Sequence, residues 1–285
     1  PAEMWPYDYS RENETPLLWV SEGFTNYYGS MAEYRAGITS EQDLLNTVAG
    51  AASGVENNEV RNYVSPAESS VSTWVGYDTP VAFGISYYGQ GQNLATLLDL
   101  SIRNDTDGRY SLDDVMRGLF NNFYKKNRGF TTDDMLGEIK QLTKKDYGDF
   151  YRRYVFGTEV PNYEEIFGYA GYRVEKSEQK TPDFGFFGRF RNNGYTLTGV
   201  VPNSPAAVAG LTTGDTITKI DGKSVIGYPF GSTAGKTLNL TVNHGGTERE
   251  LQMNVGTQTS TKFTLVDVAN RSAKQTRIRE GWLKQ

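Results

Sequence analysis

Apolar residues recur at helical spacing through the first 170 positions. Leu17, Val20, Phe24, Tyr28 and Met31 fall on one stripe, and Leu94, Leu97, Leu98 and Ile102 on another that begins near Ser86. Helix start signals precede the stripes. Thr15-Pro16 and Ser65-Pro66 each offer a capping hydroxyl followed by a proline suited to the first helical position. Ser40 with Asp43, Ser111 with Asp114 and Thr131 with Asp134 have the spacing of capping boxes. The segments after Ser111 and Thr131 carry Val115, Leu119 and Phe123, then Met135, Ile139 and Leu142. No strand-like alternation intervenes before Phe167, so residues 1–170 are predicted to form an all-helical unit.

The period changes after about Tyr172. Tyr195–Val201, Thr216–Ile220, Thr237–Asn243 and Glu248–Val255 alternate apolar with polar residues, as Leu238, Leu240 and Val242 do on one face. Asn192-Asn193-Gly194, Gly214-Asp215 and Asp221-Gly222 punctuate these runs, and Asp221-Gly222 suits a tight hairpin with positive φ. Ser204-Pro205 opens a short helix through Val208. Residues 171–258 are therefore predicted to form a small β-rich domain. In the remaining stretch, 259–285, Ser272 with Gln275 introduces Ile278, Trp282 and Leu283, a helix too short to stand alone and so expected to dock back.

Composition narrows the function. The 285 residues suffice for two domains, and a net charge of -5 lacks the basic footprint of a nucleic-acid binder. The longest apolar runs, such as Leu17–Val20, fall far short of the roughly 20 residues of a membrane span. With no cysteine, disulfides, thiolate metal sites and a cysteine nucleophile are excluded together. The single histidine, His244, prevents this chain alone from completing a two-histidine metal site. A start at Pro1, with no charged-then-apolar leader, reads as a processed or excised piece. Abundant Tyr, Asn, Thr and Gly without Cys point towards a bacterial periplasmic or other extracytoplasmic location.

Three near-motifs resolve into structure. Gly231–Thr237 echoes a phosphate loop but is one residue short and leads into a strand rather than a helix. Asp105-Thr106-Asp107-Gly108 with Asp114 imitates a calcium loop, yet Arg103 stands where the first ligand belongs, so a solvated turn is expected. His244, in Asn243-His244-Gly245-Gly246, is explained by a hairpin tip.

Glu22 is different. It lies within Leu17–Tyr28, a segment apolar on most of its circumference at its start, where an ionised carboxylate is costly without a cation or several donors. Periodicity allows a solvent-facing or Arg-paired Glu as well as a metal ligand.

Leu18-Trp19-Val20-Ser21-Glu22-Gly23-Phe24-Thr25 resembles the W-x-x-E-G-F-[AT] segment of gluzincin metallopeptidases, most closely the M61 glycyl aminopeptidase family. The resemblance implies a helical gluzincin-type catalytic subdomain in which Glu22 is the third zinc ligand. The other two would be histidines of an H-E-x-x-H helix whose Glu is the general base. Tyr87-Tyr88-Gly89-Gln90-Gly91 resembles the family's Y-x-K-G segment, which assigns the oxyanion-stabilising phenol to Tyr88, with Gln90 in place of the usual Lys. Ser204–Gly222 is close to the long S-P-A-x-x-A-G-L-x-x-G-D-x-I-x-x-I-[ND]-G pattern of PDZ domains, and Phe184-Gly185-Phe186-Phe187 resembles their φ-G-φ carboxylate-binding loop. The Arg279–Leu283 ending resembles the M61 C-terminus.

Two departures qualify these implications. The H-E-x-x-H segment is absent from this chain, so zinc would be held only with a missing N-terminal part of the same protein. In addition, Ile226–Lys236 holds three Gly and one Pro, leaving little room for the helix that walls a PDZ groove. The expectation is the C-terminal portion of a zinc aminopeptidase acting on peptides with N-terminal Gly or Ala, inactive in isolation. The alternative is a PDZ-type peptide-binding or scaffolding module without catalysis.

Overall fold

A computed structural model describes residues 1–76, 84–191 and 194–284. It divides into two compact units, Pro1–Ser177 with Lys262–Gln285, and Glu178–Thr261.

The first unit is helical. It opens with α1 (Leu18–Ser21), α2 (Gly23–Arg35) and α3 (Glu41–Glu56), followed by α4 (Pro66–Val71) and α5 (Thr73–Gly76). The long α6 (Tyr87–Asp105) precedes α7 (Leu112–Asn122), α8 (Thr132–Thr143), α9 (Gly148–Tyr154) and α10 (Tyr163–Gly168). Most starts follow the local chemistry. Ser40 and Asp43, Ser65 and Glu68, and Thr131 and Asp134 form reciprocal capping boxes, and the Asp114 carboxylate accepts the Ser111 amide at 2.9 Å. The first start differs from the sequence expectation. The Thr15 hydroxyl is drawn to Glu3 at 3.0 Å, and the helix begins only at Leu18.

Helix α6 is the axis of this unit: 12 of its residues are buried, which places it inside the bundle rather than on its surface. Leu94, Leu97 and Leu98 join the core with Trp19, Phe24 and Met31. Two of its buried polar residues, Asp99 and Arg103, are bonded into one network. The Asp99 carboxylate accepts Tyr27 Oη at 2.7 Å, Arg103 Nε at 3.0 Å and the Leu112 amide at 2.7 Å. Burial, then the Asp99 charge, pushes the Tyr27 phenol well above its ordinary value, so it serves as a neutral donor.

The second unit is a sheet of β2 (Phe186–Arg191), β3 (Gly194–Val200), β4 (Thr216–Ile220), β6 (Thr237–His244) and β7 (Thr247–Asn254) in that order, with β5 (Lys223–Ser224) paired to β4. Strands β1 (Tyr172–Asp183) and β8 (Gly256–Asp267) pair with each other in a separate two-stranded sheet. Short helix α11 (Pro205–Val208) is capped by Ser204, whose Oγ accepts the Ala207 amide at 3.3 Å. The core holds Leu197, Ile217, Ile220, Leu238, Leu240, Val242 and Met253, the inward positions of the alternating runs. Asp221 and Gly222 take φ of 49° and 74° between β4 and β5, as their turn requires. The Asn192-Asn193 turn signal lies outside the described residues.

The last helix, α12 (Ala273–Trp282), belongs to the helical unit. Trp282 is fully buried there and donates its Nε1 hydrogen to Tyr27 Oη at 3.1 Å.

Candidate functional site

The helix expected to run unbroken from Leu17 to Met31 is interrupted at Glu22, which ends α1 and precedes α2 with φ −100° and ψ −41°. Glu22 is therefore half-buried at a helix junction, not sunk in the middle of a buried helix. Among the described residues its carboxylate meets no hydrogen-bond donor and no cation; the Arg-paired reading has no counterpart in the structure.

A contact that the sequence argument missed fixes this junction. The backbone of α6 lies directly on it: a Cβ built on Gly91 would stand 2.0 Å from the Trp19 carbonyl oxygen, and one on Gly23 would stand 2.3 Å from Gly91 Cα. Only glycine at both positions allows that approach. Two glycines inside helical patterns were the available signal. Glu22 immediately precedes one of these glycines, and Tyr88 lies one helical turn before the other, so the crossing ties the two candidate residues to one place in the fold.

Tyr88 stands in the first turn of α6, capped by Ser86, whose Oγ accepts its amide at 3.2 Å. Its ring is 39% exposed and stacks on Tyr87 at 4.9 Å, so the phenol is held at the surface of the unit rather than consumed by the core. Tyr87 in turn meets Thr73 Oγ1 at 3.1 Å. Gln90, two residues on, is buried; its Nε2 donates to the Val64 carbonyl at 3.2 Å while its Oε1 has no partner among the described residues. A cleft of about 500 Å³ opens beside α1 and α2, walled by Ser21, Phe24, Thr25, Tyr28, Met116 and Phe130. Ser21 and Thr25 flank Glu22 along the helix, but Glu22 itself does not line this cleft.

For a divalent metal, Glu22 fits as one donor only. Among the described residues no group of three or more His, Cys, Asp or Glu is gathered to hold an ion. His244 lies in the other unit, where its Nδ1 is 2.8 Å from Asp215 Oδ1 at the mouth of the β6–β7 hairpin. It is thus a hairpin residue, with a structural partner that its sequence context did not reveal. Asp215 is fully buried and also takes the Thr212 amide and Arg249 Nη2, each at 2.8 Å. Burial raises its pKa, but the Thr212 amide, His244 and Arg249 outweigh that and hold the carboxyl below its ordinary value.

The predicted carboxylate-binding loop is placed at the start of the sheet's edge strand. Phe184 and Phe186 are half-buried with ring centroids 5.2 Å apart, whereas Phe187 is 51% exposed. Gly185 has φ +70°, and its carbonyl accepts the Val201 amide at 2.8 Å and the Ser204 hydroxyl at 3.1 Å. A Cβ there would lie 2.0 Å from Ser204 Cβ. The segment after Val225 forms only a 3-10 turn at Phe230–Ser232, in line with the shortage of length read from the sequence.

Residues 1–94 match the M61 glycyl aminopeptidase family model, and residues 196–250 match a PDZ domain model. Both Glu22 and Tyr88 fall inside the first match. A probable CtpA-like serine protease of Staphylococcus haemolyticus is 28% identical over 149 residues, 48% of this chain and 27% of that protein. Among solved structures, an aminopeptidase N family protein from Idiomarina loihiensis covers 100% of this chain at a TM-score of 0.73 and 24% identity, a likeness of fold. The chain spans 51% of that structure's length and about a quarter of the length of the curated relative.

Proposed function

We propose that the helical unit is the distal part of the catalytic domain of a zinc-dependent aminopeptidase that removes small N-terminal residues, Gly or Ala, from peptides. The observation that carries the reading is the half-buried Glu22 carboxylate, unpartnered among the described residues. It stands at a helix break braced by the Gly23–Gly91 crossing, one helical turn along from which Tyr88 projects. A half-buried carboxylate with no partner among the described residues is free to take a cation.

Glu22 would hold the zinc with two imidazoles from outside this chain, since among the described residues no group of three or more His, Cys, Asp or Glu is gathered to hold an ion. Bound there, zinc would supply Lewis acidity and make water a competent nucleophile near neutral pH. The Tyr88 phenol donates a hydrogen bond to the oxygen that gains charge as the peptide carbonyl becomes tetrahedral. Stacking on Tyr87 and the Ser86 cap hold that phenol in position. The second unit contributes peptide capture, not chemistry.

Zinc content and hydrolysis of glycyl-p-nitroanilide test the proposal, measured on this chain alone and on a polypeptide that also carries an H-E-x-x-H segment ahead of it. The chain alone is expected to retain negligible zinc and to show no turnover. In the longer polypeptide Glu22→Gln should abolish stoichiometric zinc, whereas Tyr88→Phe should keep the metal and lower kcat by about 10²–10³. Full zinc occupancy with turnover from these residues alone, or a Glu22→Gln variant that binds zinc normally, would overturn it.

A further inference from the structure

Strand β2 ends the sheet order and pairs only with β3 among the described strands, so its other edge is open to an added strand. In peptide capture by strand addition, the backbone supplies affinity and a side-chain slot supplies selection. That slot should open between the Phe184 and Phe186 rings and whatever wall the segment after Val225 provides. Here the wall is Phe230, and it leaves no gap. The Phe230 ring meets Phe184 edge-on at 5.4 Å and lies 6.1 Å from Tyr195. Tyr195 is 5.8 Å from Phe186, and Phe186 is 5.2 Å from Phe184, so the four rings close a circuit. All four separations fall within the contact range of aromatic pairs. A side chain sliding between Phe184 and Phe230 would need roughly 7–8 Å, since each carbon contact takes about 3.5–4.0 Å.

The segment that carries Phe230 is anchored by short-range bonds. Phe230 donates its amide to the Tyr228 carbonyl at 2.9 Å, and its own carbonyl accepts the Thr233 hydroxyl at 2.6 Å. Gly227 and Gly235 bracket it with φ of 78° and 70°, and Ile226, Pro229, Gly231 and Ser232 are exposed. The bracketing glycines give the segment two hinge points, and the packing of Tyr228 and Phe230 on the sheet core, with Thr233 buried, is what opening must give up.

We propose that Phe230 is a built-in plug of the peptide groove: it occupies the place of the terminal side chain of a peptide bearing a free C-terminal carboxylate and an apolar last residue. Closed, the groove is silent. Apparent affinity is then the intrinsic affinity reduced by the open fraction, so removing the plug raises it by the same factor. The proposal concerns the second unit alone and stands or falls separately from the zinc reading.

The test titrates the full chain with a fluorescent decapeptide ending in Val with a free carboxylate, and with its C-terminally amidated form. Phe230→Ala is expected to bind the free-acid peptide at least tenfold more tightly than the unsubstituted chain and to lose that gain with the amide. Phe230→Leu, which refills the slot, should stay near the unsubstituted chain. Equal affinities for the unsubstituted chain and a folded Phe230→Ala variant would overturn the proposal. Should Phe230→Ala fail to fold, amide exchange of the unsubstituted chain at saturating peptide decides. Faster exchange at 228–233 with slower exchange at 186–191 supports the plug, and slower exchange at 186–191 alone refutes it.

Discussion

At the scale of single residues, the two buried acids among the described residues, Asp99 and Asp215, are stabilised in the same manner and Glu22 is not. Asp99 and Asp215 are at most 2% exposed, and they collect three and four hydrogen-bond partners, in each case from side chains and from a backbone amide. Glu22 collects none among the described residues. Asp215 also carries a pH dependence. Its carboxyl is held below the ordinary value in the folded state, so its contribution is fully present above the unfolded pKa of about 3.9 and is lost as pH falls through the lower folded value. Acid unfolding of the full chain, followed by amide exchange in β4 and β6, should therefore steepen below about pH 4. Asp215→Asn should flatten that dependence, and an unchanged acid profile would show that the His244 and Arg249 contacts carry no stability.

At the scale of elements, the Gly23–Gly91 crossing sets the site, and its tolerance can be measured. Gly91→Ala would drive a methyl to 2.0 Å from the Trp19 oxygen, so the helices must part. Overpacking of this kind costs about 1–3 kcal/mol, to be read from denaturant unfolding of the helical signal, whereas helix propensity alone would predict a gain. How much was legible beforehand follows from the same physics. Helices that begin with a hydroxyl cap and a reciprocal acid or amide declare themselves in four residues, as α3, α4, α8 and α12 do. Strands with one buried face declare themselves by alternation, as β4 and β6 do. Strand β1 could not: nearly all of its residues are exposed or half-exposed, and Tyr172-Arg-Val-Glu-Lys-Ser-Glu-Gln carries no two-residue period beyond its first turns. The candidate site was legible as a motif. The close backbone approach that shapes it was not, because a glycine shows what is missing and not what fills the space.

At the scale of the whole molecule, the chain builds a helical unit, leaves it to build a sheet, and returns. The return is structural: α12 seats Trp282 against Tyr27, and Arg279 of the same helix is bonded to both Glu41 and Asp267. Trp282→Ala should cost the helical unit about 3–5 kcal/mol, the range for emptying a large buried aromatic site. Amide exchange should quicken in α2 and α6 and stay constant in β3, β4 and β6; equal acceleration everywhere would show that the units defined by contact are one cooperative block. The same return imposes an order on biosynthesis. Trp282 follows Tyr27 by 255 residues, so at ribosomal rates of about 5–20 residues per second the indole emerges roughly 13–50 s after the phenol it must meet. Throughout that interval the nascent bundle has an unfilled aromatic seat while the intervening sheet is already free to form. A translation product that stops short of Trp282 never fills it, so the helical unit reaches its full packing only once this residue has been made.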